Sequence, residues 1–275
     1  MGEAASKESN LSSGFLEATD YTEEMRLKSV FFILLISSSC LAIEPVSVSV
    51  GMYPFAPFVE MKGSHGEVGM TIDLVTALNK VQNAYHFKTV IIPPKRRYHS
   101  FNDGHYDVIF YESKSWGWQD IKVDVSQVYQ KGGESYVALK KPDRDQSYFD
   151  DFSGKRMIGI LGFHYGFADF NAGEDFLRNN FNMLITTDND KNMNLLLKER
   201  GDVVVVTKAY LQRYLLEHPD NEPLLLISEK LDQEYNHTAL LRPGISPSID
   251  EINTMLGTLK QTGEMKILLE KYGLE

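Results

Sequence analysis

Along residues 45–275, apolar runs with a period of two alternate with stretches whose apolar residues recur every three to four positions. PVSVSVGM (45–52) puts Val46, Val48 and Val50 on one face, as in a half-buried strand. TIDLVTALNKV (71–81) instead spaces Leu74, Leu78 and Val81 as a helical stripe. FKTVIIP and YDVIFY read as short buried strands on either side of 95–103, giving a β-α-β-α-β order. After the polar break Lys141-Pro142-Asp143 a second series begins. It runs through a strand at KRMIGIL (155–161), a helix in FADFNAGEDFLRNN, a strand at NMLITT, a helix at NDKNMNLLLKER and a strand at DVVVVT (202–207).

The Val203–Val206 run suits a parallel strand covered on both faces. LLLIS and TALLR add two separate strand candidates. Near the C-terminus, Ser248 and Glu251 have capping-box spacing ahead of the stripe Ile249, Ile252, Leu256 and Leu259, and Gly263 separates this helix from a final short one. Two similar α/β units plus a helical pair predict two lobes, and a cleft between lobes is a natural ligand site.

Composition narrows the function. With 43% hydrophobic residues the chain can bury a core, and 38 acidic against 28 basic residues, with no long basic run, argue against a nucleic-acid partner. MRLKSVFFILLISSSCLA (25–42) has the order of a secretory signal: Arg26 and Lys28, the apolar run Val30–Ile36, then small residues. That run is far shorter than the roughly 20 residues needed to span a bilayer. The expected product is exported to the periplasm by cleavage after Ala42. Residues 1–24 are then an extension, non-native or disordered, ahead of a true start at Met25. Cys40, the only cysteine, has lipid attachment as its alternative fate, although Ser37 stands where a lipobox has Leu.

GMYPFAPFVEMKGSHGEVGMTIDLVTAL carries a strand, a Y-P-P-F-like turn and a G-x-x-I-D-L helix start (Tyr53, Pro54, Phe55, Pro57, Phe58, Gly69, Ile72, Asp73, Leu74). PPKRRYHSFNDGHYDVIF adds Arg96, Gly104 and Asp107, and FSGKRMIGILGFHYG and INTMLGTLKQTGEMKILLEKYG complete the series. In this order the motifs resemble the type II periplasmic solute-binding proteins, in the family 3 branch that includes amino-acid-binding components of ABC importers. The resemblance covers nearly all of 46–274. It implies an α/β fold of two lobes, each a mixed, mainly parallel sheet flanked by helices, joined by two crossing strands near Gln130–Ser135 and His237–Leu241. Lobe 1 is then 43–130 with 238–275, and lobe 2 is 131–237. It further implies a monomer without cofactor or metal that closes on a small-molecule ligand and is recognised by a membrane permease.

The resemblance stops where ligand chemistry is decided. Amino-acid binders carry an Arg that clamps the ligand carboxylate; here that position falls at Trp118 or Gln119, and no Arg occurs from 98 to 143. Thr207 stands where an Asp would hold the amino group. A standard α-amino acid is therefore disfavoured unless Arg96 and Glu112 substitute, and the ligand is read as a small polar or aromatic-bearing molecule. The candidate ligand-binding residues are Tyr53, Phe58, Arg96, Tyr111, Glu112, Ser113, Trp116, Trp118, His164, Tyr165, Asn192 and Thr207. The alternatives are a sensing module for a membrane signalling partner, or a dehydratase-like enzyme using Glu112 and His164.

Overall fold

The computed structural model describes residues 44–61 and 66–274. The proposed extension, signal segment and Cys40 lie outside the described residues. The strands are β1 (Val46–Met52), β2 (Glu60–Met61), β3 (Glu67–Val68), β4 (Tyr85–Ile91), β5 (Val108–Glu112), β6 (Asp124–Val125), β7 (Gln130–Leu139), β8 (Met157–Ile160), β9 (Leu184–Thr186), β10 (Val203–Thr207) and β11 (Leu225–Leu241). The helices are α1 (Met70–Val81), α2 (Arg97–Asn102), α3 (Glu174–Phe181), α4 (Asn189–Leu197), α5 (Lys208–Glu217), α6 (Ile249–Gln261) and α7 (Glu264–Lys271).

The main sheet runs β4-β1-β5-β11-β7-β10-β8-β9, with β6 beside β11. β4, β1 and β5 are parallel neighbours, as are β10, β8 and β9, while β11 and β7 are antiparallel to everything they touch. Two parallel three-stranded units thus hang from a central antiparallel pair, the sheet of a two-lobe α/β protein. The apolar runs account for the interior: Val203–Val206 and Val108–Tyr111 are all buried. The capping box of Ser248 and Glu251 forms at the start of α6, a feature that contributes about 1 kcal/mol.

Two expectations are corrected. LLLIS and TALLR are not separate strands but the two ends of β11, whose 17 residues run straight through the polar stretch EKLDQEYNH. In that stretch Gln233, Tyr235 and His237 are buried while Glu234 and Asn236 are exposed, a period of two disguised by polar inward residues. FKTVIIP, read as a buried strand, belongs to β4, where only Phe87 is buried; as the last strand in the order it has one unpaired edge and one exposed face.

Asp107, in the turn after Gly104, ties three strands together. Its Oδ2 accepts from Ser49 N at 2.8 Å and Ser49 Oγ at 2.6 Å on β1, and Oδ1 accepts from Arg242 just beyond β11. Burial alone would raise this carboxyl, but the bonds from Ser49 and Arg242 outweigh it and hold the pKa below the usual range. Asp107→Ala is expected to lower stability by about 1–3 kcal/mol in urea denaturation. A carboxyl depressed in the native state stabilises fully above its unfolded value and stops doing so as pH falls through its native one. The gap between wild type and variant therefore narrows below about pH 4.

Candidate functional site

The carboxyl ends of β1, β5, β8 and β10 and the inward face of the β7–β11 pair converge on one region, where open α/β sheets bind ligands. Tyr53, Phe55, Arg97 and Trp116 come from the first half, Gly162, Phe163 and His164 from the loop after β8, and Glu134 from β7. They enclose a void of about 10 Å³. Phe55 meets Trp116 edge-on at 5.7 Å and Phe163 edge-on at 5.4 Å. Phe55 also borders an adjoining groove of about 430 Å³, lined further by Glu60, Thr187, Asp188, Asp190 and Tyr210. A larger cavity, about 620 Å³, is lined by Lys131, Lys208, Glu234 and Asn236 together with Phe58 and Tyr235, which pack on Phe55 and Trp116.

Arg97 dominates the first-half wall. Its Nη1 donates to Pro94 O at 2.7 Å and Gly162 O at 3.3 Å, Nη2 donates to Tyr98 Oη and lies 3.4 Å from His164 Nδ1, and Nε faces Glu112 Oε1 at 3.6 Å. The guanidinium also lies over the Tyr53 ring at 5.0 Å. Glu112 is fully buried, and burial raises its pKa against the opposing pull of Arg97 and the Trp118 hydrogen bond. It reaches this position through a bulge. Thr238 and Leu240 on β11 pair with Glu112 and Ile109 on β5, so β5 carries one extra residue, and Tyr111 takes a φ of 57°, unusual for a non-glycine.

The two tryptophans diverge. Trp116 lines the void and donates Nε1 to Gln233 Oε1 at 3.0 Å. Trp118 is fully buried behind it, edge-on to Tyr98 and Phe101, with Nε1 bonded to Glu112 Oε2 at 3.0 Å. The glycine between them has a φ of 80°, and a Cβ there would stand 2.5 Å from the Tyr98 hydroxyl, so the turn that separates the rings needs Gly117.

Of the other sequence-predicted residues, Tyr53 and His164 line the void with Trp116, and Glu112 stands behind Arg97. Arg96 is exposed; its neighbour Arg97 takes the inward position. Phe58 and Tyr111 pack around His237 below the void, and Ser113 lies outside it, its Oγ 2.8 Å from Ser115 Oγ. Tyr165 is buried, its hydroxyl accepting from Ile160 N at 2.6 Å. Asn192 is buried with Oδ1 accepting from Thr186 Oγ1. Thr207 caps α5 and donates to Ala56 O at 3.2 Å across the cleft. Sequence reasoning missed Phe55, Arg97, Glu134, Phe163 and His237 as contributors. The available signal for Glu134 was a lone acid on the face shared with Gly132, Tyr136 and Ala138 in a strand rich in apolar and small residues.

His237 is fully buried among Phe58, Tyr235, Tyr111, Trp116 and Phe55, with ring centroids 4.8 to 6.1 Å away, and neither ring nitrogen has a hydrogen-bond partner. Burial lowers its pKa to about 3, and burial with the nearby Arg97 charge lowers His164 to about 4. Residues 48–275 match the profile of the bacterial extracellular solute-binding proteins, family 3. No curated protein sequence matches the chain. An ABC uptake transporter substrate-binding protein from Streptococcus pneumoniae with bound histidine is similar in structure, with a TM-score of 0.66 at 21% identity, covering 82% of this chain and 92% of that one. A putative ABC transporter binding component from Wolinella succinogenes complexed with lysine gives 0.65 at 14%, covering 83% and 96%. An ancestral amino-acid-binding protein described as a precursor of cyclohexadienyl dehydratase gives 0.62 at 19%, covering 82% and 94%.

Neutral buried imidazoles must take up protons on unfolding once the pH is below the ordinary histidine value. Their contribution to stability is complete above about pH 6.5 and is lost as pH falls toward the lowered native values. Denaturation at pH 8 and pH 5 should show the lower stability at pH 5, and His237→Phe should narrow that difference.

Proposed function

The chain belongs to the bacterial extracellular solute-binding proteins, family 3, and we propose that in the periplasm it captures a small polar or aromatic-bearing solute between its lobes and presents it to the membrane permease of an ABC-type transporter. The lobes are read as 43–130 with 238–275, and 131–237. The observation that carries this reading is the convergence of both halves on one void, walled by Tyr53, Phe55, Trp116 and Phe163 and containing the Arg97 guanidinium. A void of about 10 Å³ is room for about one water, so a solute is admitted only when the halves part. Closure then gains ligand contacts from both sides, and the ligand shifts the population toward the closed form.

The similar proteins bound to histidine and to lysine make a small nitrogen-bearing solute the first class to test. The order of groups supports binding over turnover. Glu112 and His164, the pair an acid–base mechanism would use, each contact Arg97, and Glu112 Oε2 is engaged by Trp118.

A thermal-shift screen of amino acids, polyamines, sugars and aromatic acids is expected to identify one stabilising class. A solute at 100 times its dissociation constant adds about 2.7 kcal/mol to stability. Trp116→Ala is expected to weaken that solute about tenfold by removing an aromatic wall. A screen in which no class shifts the melting temperature, together with a radius of gyration that no solute changes, overturns the proposal.

A further inference from the structure

Three acids, Glu112 and Glu134 buried and Asp232 half-buried, flank the β7–β11 pair, and they differ in what holds them. Asp232 is engaged at both oxygens: Oδ2 accepts from Gly166 N at 2.7 Å, and Oδ1 from Phe167 N at 2.8 Å and from the Tyr136 hydroxyl at 2.6 Å. Glu112 has Trp118 and Arg97. Glu134 has no cation beside it among the described residues. It is 3% exposed, pairs in register with Thr207 of β10 and lines the void, and its Oε2 has no hydrogen-bond partner. Among the described residues no Lys or Arg forms an ion pair with it. Gln233, its register partner on β11, gives it some polar support but also bonds Trp116 and His164 O, and Glu134 Oε2 is left without a partner.

The one cation on the void is committed elsewhere. The Nη1 and Nη2 groups of Arg97 face Pro94 O, Gly162 O, the Tyr98 hydroxyl and His164 Nδ1, and Nε, without a hydrogen bond, lies 3.6 Å from Glu112 Oε1 as an ion pair. The first-half wall therefore offers an internally compensated pair, and the opposite wall offers an unmatched carboxyl. An unpartnered buried carboxyl costs stability, and the cost is removed only by something that supplies donors or positive charge. Around it, Tyr53, Phe55, Trp116 and Phe163 present aromatic rings, which favour a desolvated cation by about 0.5–2 kcal/mol.

We propose that the solute taken into the cleft is an organic cation, a small primary or quaternary alkylammonium whose charged head is held by Glu134 within the Tyr53, Phe55, Trp116 and Phe163 walls. The inference rests on the solute-capture reading above and adds the charge of the ligand and the residue that reads it. Burial, then the neighbouring Asp232, raises the Glu134 carboxyl well above its usual range against the opposing pull of the Gln233 side chain. The groups that face it are Asp232, Gln233 and Tyr235 from β11, Tyr136 on β7, and His164 and Tyr165 from the loop after β8. None of these is a cation, since His164 is neutral at pH 7. Where the free protein's Glu134 carries its proton, arrival of an ammonium displaces that proton to solvent and leaves an ammonium–carboxylate pair. Affinity then rises about tenfold per pH unit below the free protein's Glu134 value.

Isothermal titration of the full chain with cadaverine and with choline, each beside its neutral match (1,5-pentanediol, 3,3-dimethylbutanol), tests this. At least one cation is expected to bind more than about 30-fold tighter than its match, as the loss of a charge-assisted contact implies. Its apparent heat should differ between phosphate and HEPES in proportion to one released proton. Glu134→Gln, which copies the shape of the protonated acid, should lose that binding by about 30-fold or more while melting no lower than wild type. Equal binding of cation and neutral match, or unchanged cation binding by Glu134→Gln, overturns the inference. Tight binding confined to neutral or anionic solutes overturns it too but leaves solute capture standing. Absence of binding to any solute class overturns both.

Discussion

Everything in this chain is hung on the antiparallel pairing of β7 with β11. Their register runs from Gln130 opposite His237 to Leu139 opposite Leu225, and β11 continues past β7 to pair with β5. One continuous strand thus belongs to both halves of the sheet. The inward residues of the shared stretch, Gln233, Tyr235 and His237, are at once part of the connection and the floor of the ligand region. A Cβ on Gly132 would lie 2.1 Å from the Tyr235 ring, so the pair packs ring against bare backbone. Movement of one half relative to the other must be accommodated in these strands, beneath the site itself.

The contacts that close the cleft are of modest strength. Arg97 to Gly162 O and Thr207 to Ala56 O are each single hydrogen bonds with a net worth of about 1 kcal/mol. At the rim, Arg213 engages Glu60 through a two-point contact and Lys95 engages Glu174, the latter an exposed pair weakened by solvent screening. A closure held this lightly is biased by whatever occupies the space between Phe55, Trp116 and Phe163. On the proposed capture of a solute, such contacts leave opening and closing within reach of a ligand's binding energy.

Much of the architecture is legible in the residues. Period-two valines, helical stripes, a capping box and the order of strand and helix suffice for two α/β units, because burial enforces those periods directly. The middle of β11 is not legible, since Gln233 and His237 hide its apolar face behind polar names. The site is legible only in part. Tyr53, Trp116 and His164 border one void, and Glu112 stands behind Arg97. Arg96 and Arg97 differ by a single helical step of about 100°, and spacing to Gly104 cannot choose which one turns inward. Trp118 lies in the core because Gly117 reverses the chain, a conformational fact rather than a compositional one. Glu134 escapes notice because its significance is the absence of a partner, which only three-dimensional neighbours reveal.

The W-G-W turn has one more consequence. The chain contains two tryptophans, one bonded to Gln233 over the cleft and the other sealed against Glu112, Tyr98 and Phe101. Their emission therefore divides into a component sensitive to the cleft and one insulated from it, two residues apart on the same loop. The protein carries an optical gauge of its own state together with an internal reference.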